Sequence, residues 1–407
     1  MDLQPTIAAA LRPEAPLHEA AARRPSWAAQ AAPLKTRYAP AGQFILAVLR
    51  RDWRFLAVTV LSCVVAATVA TFQFAVFNSF RDASAVLPRV IAADYWVSAK
   101  SVESFDFPTT FAEDYAASLA GLFPHGATRR VIFGFIPWRS PSGRRGNVAL
   151  VGVEGWMAGN RPLSPTEFVA NQSDLARLDL AGARGLVEAS IGDETLTMAG
   201  TVDSLSTYVG APYVIADFET ARRLLRADPT DVAFLTGTFG GEEPADWDQI
   251  AAQFTAQHPE VQLYRRADFA ASSAHYWLAK TGAGLAIGLA AVLAGLLMVI
   301  LLANGVLRFI QRYYQDLLSL LGHGATRSDV GAIVAGIALV IAAATLLGAT
   351  AATPLLVLAF RSILPWVHFA AADLIAPLAA ASLAFVIALV AAKNAVAAFA
   401  PDAVFRT

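Results

Sequence analysis

The sequence predicts an α-helical membrane protein with four transmembrane helices and an α+β extracytoplasmic domain inserted between helices 1 and 2. Three observations predict it. Four long runs, at residues 55–80, 281–307, 330–360 and 374–392, contain no Asp, Glu, Lys, Arg or His. A bilayer core of ~30 Å needs about 20 apolar residues in a helix; the first three runs exceed that length and the fourth just meets it. A block of about two hundred residues, 81–280, separates the first run from the others and mixes the periodicities of strands and helices. Composition agrees, with 56% hydrophobic and only 15% charged residues.

Residues 1–40 are rich in Ala and Pro and lack a continuous apolar stretch, so they read as a disordered cytoplasmic tail without a cleavable signal peptide. Residues 41–54 place Phe44, Ile45, Val48 and Leu49 beside Arg50, Arg51 and Arg54. That pattern suits an amphipathic helix on the membrane surface, turning into the first span at 55–80, or a plain basic stop signal. The lone cysteine, Cys63, lies inside this span, so no intrachain disulfide is possible and the 81–280 domain must be held by its own core.

In that domain, 94–98, 130–136, 147–153 and 232–236 read as strands, and 112–122, 217–226 and 246–258 as helices. Asp246 is an N-cap, and Pro229 follows a helix end. One compact α+β unit or two subdomains would fit. Residues 267–280 read as a helix running directly into the second span, 281–307.

Gly284, Gly288 and Gly295 share one face of the second span, where small residues allow close helix packing, across a dimer or within one subunit. The segment 308–329 reads as a cytoplasmic elbow. Arg308, Arg312, Tyr313, Asp316, Leu317 and Leu320 form an amphipathic extension, Gly322 and Gly324 break it, and Ala325 and Arg327 lead onward. Ser328 or Asp329 would cap the third span, 330–360. That span exceeds the required length, and Pro354 favours a kink or break near its outer end. A short external loop at 361–373, the fourth span at 374–392 and a cytoplasmic tail at 393–407 complete the chain.

Charge sets the orientation. The pieces 1–54, 308–329 and 393–407 carry 13 Lys and Arg against 7 Asp and Glu, whereas 82–280 carries 16 against 24. Basic short segments stay in the cytoplasm, so both termini are expected inside and the large acidic domain outside.

The chemistry that is missing narrows the function. No GxxxxGK[ST] loop is present, and residues 322–328 have glycines without a phosphate-binding lysine. His18, His125, His258, His275, His323 and His368 show no metal-ligand spacing, and there is no GxSxG elbow. The paired acids Asp193-Glu194 and Glu242-Glu243 read as solvated surface. Spans without ionisable groups argue against an ion-coupled transporter. The chain is therefore not expected to be an enzyme or to hold a cofactor, metal or nucleic acid, and any work it does must be powered by a partner.

The elbow carries a resemblance. Asp316, Leu320, Gly324 and Ala325 are similar to the E-x-G-x-L-[KR]-A-x-G-A pattern in the cytoplasmic loop of MacB/FtsX-like ABC transporter permeases, with Leu318, Leu321 and Gly322 as departures. Residues 401–406, from Pro401 to Arg406, resemble the D-P-A-x-A-L-R ending of that superfamily. Arg54-Phe55-Leu56, Gln73 and Tyr276-Trp277 are similar to the DevC-type members. The resemblance covers roughly residues 41–407. It implies a homodimeric permease in the bacterial inner membrane, working with a separate ABC ATPase, a periplasmic membrane-fusion adaptor and an outer-membrane channel. It implies mechanotransmission and the export of a lipid, glycolipid or other hydrophobic substrate. An FtsX-like regulator of a periplasmic cell-wall hydrolase and a lipoprotein-releasing permease share the architecture.

Overall fold

The computed structural model describes residues 39–181, 187–203, 205, 208 and 210–397. The N-terminal tail through residue 38 and the C-terminal 401–406 motif lie outside the described residues.

Helix α1 (Ala39–Arg51) leads to the first long helix, α2 (Trp53–Ala83), and the short α3 (Val86–Val90). The folded block then runs β1 (Tyr95–Ala99), β2 (Phe111–Ala112), α4 (Tyr115–Leu122), β3 (Thr128–Arg139), β4 (Arg145–Val153), β5 (Met157–Ala158), β6 (Arg161–Pro162), β7 (Glu167–Asn171), β8 (Glu188–Ile191) and β9 (Glu194–Val202). It continues through β10 (Tyr213–Asp217), α5 (Phe218–Leu224), β11 (Asp231–Val232), β12 (Phe234–Gly237), α6 (Trp247–Gln257), β13 (Val261–Arg265) and α7 (Arg266–His275). The remaining helices are α8 (Gly282–Arg312), α9 (Tyr314–Gly322), α10 (Arg327–Phe360) and α11 (Ile375–Ala397). Four helices are long and apolar enough to cross a membrane, and in chain order the sheet-rich block follows the first of them.

The block is built on one nine-stranded sheet in the order β13-β1-β12-β3-β4-β10-β7-β9-β8. Strand β8 also pairs with the far end of β3, Trp138 opposite Ile191 and Arg139 opposite Ser190, so six strands close into a ring. Successive strand residues face opposite sides. Tyr95, Val97, Ile132, Leu150 and Phe168 therefore fill one core, while Trp96, Val131, Phe133, Val151 and Ile215 fill the other. The nine-stranded sheet thus has a hydrophobic core on each side.

Several boundaries differ from the sequence expectations. Asp52, with φ −114° and ψ 34°, breaks the chain between α1 and α2, so α1 ends before residue 54. Helix α7 does not run directly into the second long helix. It passes into a π-helical turn at Tyr276–Lys280, and Thr281 is extended at φ −104° and ψ 148° before α8 begins. Thr281 caps α8 by accepting from the Gly284 amide, while its hydroxyl donates to the Trp277 carbonyl at 2.5 Å. Helix α8 extends through Arg308 to Arg312, but the extension breaks at Tyr313, at φ −99° and ψ 15°, before α9 begins, and not first at Gly322. Thr326, not Ser328 or Asp329, caps α10: its hydroxyl accepts from the Asp329 amide at 3.2 Å and the Asp329 carboxylate accepts from the Thr326 amide at 2.8 Å. Helix α10 runs without a break through Pro354 to Phe360. In its middle, a Cβ added at Gly348 would lie 2.7 Å from Val64 Cγ2 on α2. Gly348→Leu is therefore expected to separate these helices at a cost of about 1–3 kcal/mol, read as a lower melting temperature in detergent.

Candidate coupling site

Basic residues beside aromatic rings bring three elements together where α1, the start of α2 and the end of α8 meet. Tyr313 terminates α8 and is 8% exposed. Its ring lies 4.9 Å from that of Phe309 and 6.1 Å, edge-on, from that of Phe44 on α1. Its hydroxyl donates to Asp52 Oδ2 at 2.5 Å, and Arg312 Nε donates to the same oxygen at 3.0 Å. The Arg312 guanidinium also sits 4.9 Å from the Phe55 ring centroid on α2. Asp52 thus ties the α1–α2 junction to the end of α8. The Tyr313 hydroxyl, and after it Arg312, hold the Asp52 carboxyl below its usual range. Burial, reinforced by the bond to Asp52, pushes the Tyr313 phenol up to about 12.

Helix α9 has two faces. Leu317 is fully buried among helix core residues including Val330 and Phe309, and Leu320 is half-buried. Asp316, Ser319 and His323 are exposed. Between α1 and α9 lies an open groove of about 290 Å³, lined by Phe44, Val48, Arg51, Asp316, Leu320 and His323 among others. Helix α9 ends in a Schellman turn: the Ala325 amide donates to the Leu320 carbonyl at 3.0 Å and the Gly324 amide to the Leu321 carbonyl at 3.1 Å. Gly324 has φ +94°, which suits a glycine.

Of the elbow residues singled out by sequence, Tyr313, Asp316 and Leu320 meet at the groove. Leu317 belongs to the core, Gly322, Gly324 and Ala325 form the turn, and the exposed Arg308 and Arg327 stand apart on the long helices. Asp52 was missed, although it is the only acid in the run Arg50-Arg51-Asp52-Trp53-Arg54. The glycines of the second span are used within the chain. Gly288 and Gly295 face Phe77 and Phe74 of α2, each at 3.4 Å from an added Cβ. Gly284 instead abuts the backbone of Trp277 and Leu278, so it serves the π-helical turn rather than a helix pair.

A second junction joins the C-terminal end of α2 and the N-terminal end of α8 to the sheet. Asp106, 2% exposed, accepts from Trp277 Nε1 at 2.8 Å, Tyr213 Oη at 3.1 Å, and Tyr208 Oη and Ser104 Oγ at 3.3 Å. Ser273 on α7 donates to the Ser84 carbonyl at 2.8 Å, just past α2, and its hydroxyl meets that of Ser104 at 2.9 Å. Tyr208 packs edge-on against Phe80 at 4.7 Å and Trp277 at 4.8 Å. Burial raises the Asp106 carboxyl pKa, against the four hydrogen bonds that lower it. Among the described residues, no three His, Cys, Asp or Glu side chains gather as metal ligands.

No family model and no curated protein matches the chain. Among solved structures, the chain is similar to the periplasmic region of MacB from Actinobacillus actinomycetemcomitans, at 7% identity and TM-score 0.35 over 44% of this chain and 90% of that one. It is also similar to the extracellular domain of the noncanonic ABC-type transporter YknZ from Gram-positive bacteria, at 12% identity and TM-score 0.31 over 42% of this chain and 99% of that one. Both of these solved pieces are periplasmic or extracellular regions of their proteins.

Proposed function

We propose that the chain is the permease subunit of an ABC-type exporter, driven by ATP hydrolysis in a separate subunit. The observation that carries this reading is α9, a short helix with one face locked into the core of the long helices and the other lining an open groove. A cytoplasmic ATPase seated there would push on Leu317 and Tyr313 and, through Asp52, on α2. ATP binding shifts such an equilibrium only by its differential affinity for the closed and open ATPase states.

In this reading the four long helices cross the inner membrane with both termini inside, and the sheet domain is periplasmic. Motion passes along α2 and α8 to the Asp106 junction and so to the sheet. The working unit is a homodimer, a periplasmic adaptor joins it to an outer-membrane channel, and the cargo is a lipid, glycolipid or other hydrophobic molecule. The chain itself hydrolyses nothing.

Gly324 tests the elbow. Its left-handed backbone makes Gly324→Leu cost about 1–2 kcal/mol locally. No neighbour lies within 4 Å of an added Cβ, so the fold is expected to persist. Export in cells is expected to fall while the membrane abundance of the protein holds. Wild-type export from a correctly inserted Gly324→Leu variant would sink the elbow assignment.

A further inference from the structure

A basic cleft lies where the outer end of α2 meets α7, and none of the coupling contacts uses it. It is an open cleft of about 670 Å³, lined by Arg81, Arg89, Arg266, His275, a row of alanines on α7 and Leu278. The volume falls in the range of small-ligand sites, roughly 300–1,000 Å³. Ala267, Ala270, Ala271 and Ala274 share the helical face of Arg266, so the floor is apolar and the rim cationic. Asp82 accepts ion pairs from Arg89 at 2.9 Å and Arg81 at 3.7 Å and neutralises only one of them. Arg266 is exposed and forms no ion pair among the described residues; nearby Asp268 is turned toward Arg265, at 3.7 Å. This surplus of positive charge, which includes Arg81, adjoins the block 82–280, with 16 Lys and Arg against 24 Asp and Glu. An acidic domain that concentrates unneutralised arginines at the foot of two long apolar helices favours an anion there.

We infer that this cleft binds an anionic amphiphile, with its phosphate or carboxylate headgroup on Arg81, Arg89 and Arg266 and the start of its acyl chain along the α7 alanines and Leu278. Arginine forks suit such headgroups because their planar donors bind two oxygens at once. The lower end of the cleft is set by Arg81 in the last turn of α2 and by Leu278, four residues before α8 begins. A lipid could therefore keep its tail at membrane level while its headgroup rises against the domain. The inference deepens the exporter reading by naming a cargo class, and rests on that reading only for the cleft's place at the outer membrane surface.

The test uses the purified full-length protein in detergent, without any ATPase. It is titrated with phosphatidylglycerol, phosphatidylcholine or inorganic phosphate, and bound lipid is counted by native mass spectrometry. Phosphatidylglycerol is expected to bind best. Arg266→Gln should weaken it about tenfold, the loss of one charge-assisted hydrogen bond. Ala271→Leu should also weaken it by filling the apolar floor without changing charge. Equal binding of the two lipids, saturation by phosphate alone, or wild-type binding by both variants would overturn the inference. So would a wild-type dimer that Ala271→Leu converts to monomer without any change in bound lipid, which would give the cleft to a second copy of the chain. Failure of an ATPase to associate would sink the exporter reading and leave this result standing.

Discussion

On the proposed exporter reading, Tyr313→Ala is expected to abolish ATP-driven export while leaving the protein in the membrane. The side chain is 8% exposed and packs between Phe309 and Phe44. Its removal should cost about 3–5 kcal/mol of local packing and release α1 from the end of α8. Tyr313→Phe keeps the rings in contact and loses only the hydroxyl bond to Asp52. It should retain most of the stability and lose part of the coupling, so the pair separates packing from signalling. Export in cells and ATPase stimulation in proteoliposomes are the readouts. The Asp52 carboxyl lies below its usual range, so its bonds contribute fully above the unfolded value of 3.8 and are lost only as pH falls through the lower folded value. Coupling through the Asp52 junction should accordingly be flat with pH around neutrality.

The second large effect is expected at the Asp106 junction. Asp106→Ala would remove the buried acceptor shared by Trp277, Tyr213 and Tyr208, leaving the indole N–H its longer bond to Ser104 Oγ at 3.2 Å. Each hydrogen bond lost to the carboxylate costs about 1.5–3 kcal/mol, so the variant should melt at a clearly lower temperature. Trp277→Phe removes one of the four donors and should cost less, about 1.5–3 kcal/mol. The pH dependence has the opposite sign to that of Asp52. Burial raises the folded pKa of Asp106, so its contribution is fully present below 3.8, the unfolded value, and declines as pH rises through the raised one. Asp106→Asn should remove that slope from the melting curves. An unchanged slope would show that Asp106 titrates as it does in the unfolded chain.

The long helices were legible because a run without charge and more than twenty residues long has few other physical solutions. Their ends were not, because Arg81, Asp82, Arg308 and Arg312 continue the helices beyond the apolar core. In the sheet, β7 is half-buried at Glu167 and fully buried from Phe168 to Asn171, so it has no inside–outside alternation to detect. Its parallel pairing with β9, with an irregularity at Phe168/Val169, depends on contacts remote in sequence. The groove residues Tyr313, Asp316 and Leu320 could be found because they follow directly on an apolar run. Asp52 read only as one charge in a basic cluster, and Asp106 sits between β1 and β2 with no periodicity around it. Both act through partners more than 100 positions away, Arg312 and Tyr313 for Asp52 and Tyr213 for Asp106.

The most direct test of the central claim is a photo-crosslinking amino acid at Ser319, an exposed groove residue, in the full-length protein in its own membrane. The account predicts a crosslink to an ABC ATPase that is lost when Tyr313→Ala is combined with the probe, and whose yield changes when ATP is depleted. A probe at Ser319 that crosslinks to no ATPase, in cells where the protein is inserted and abundant, would contradict it.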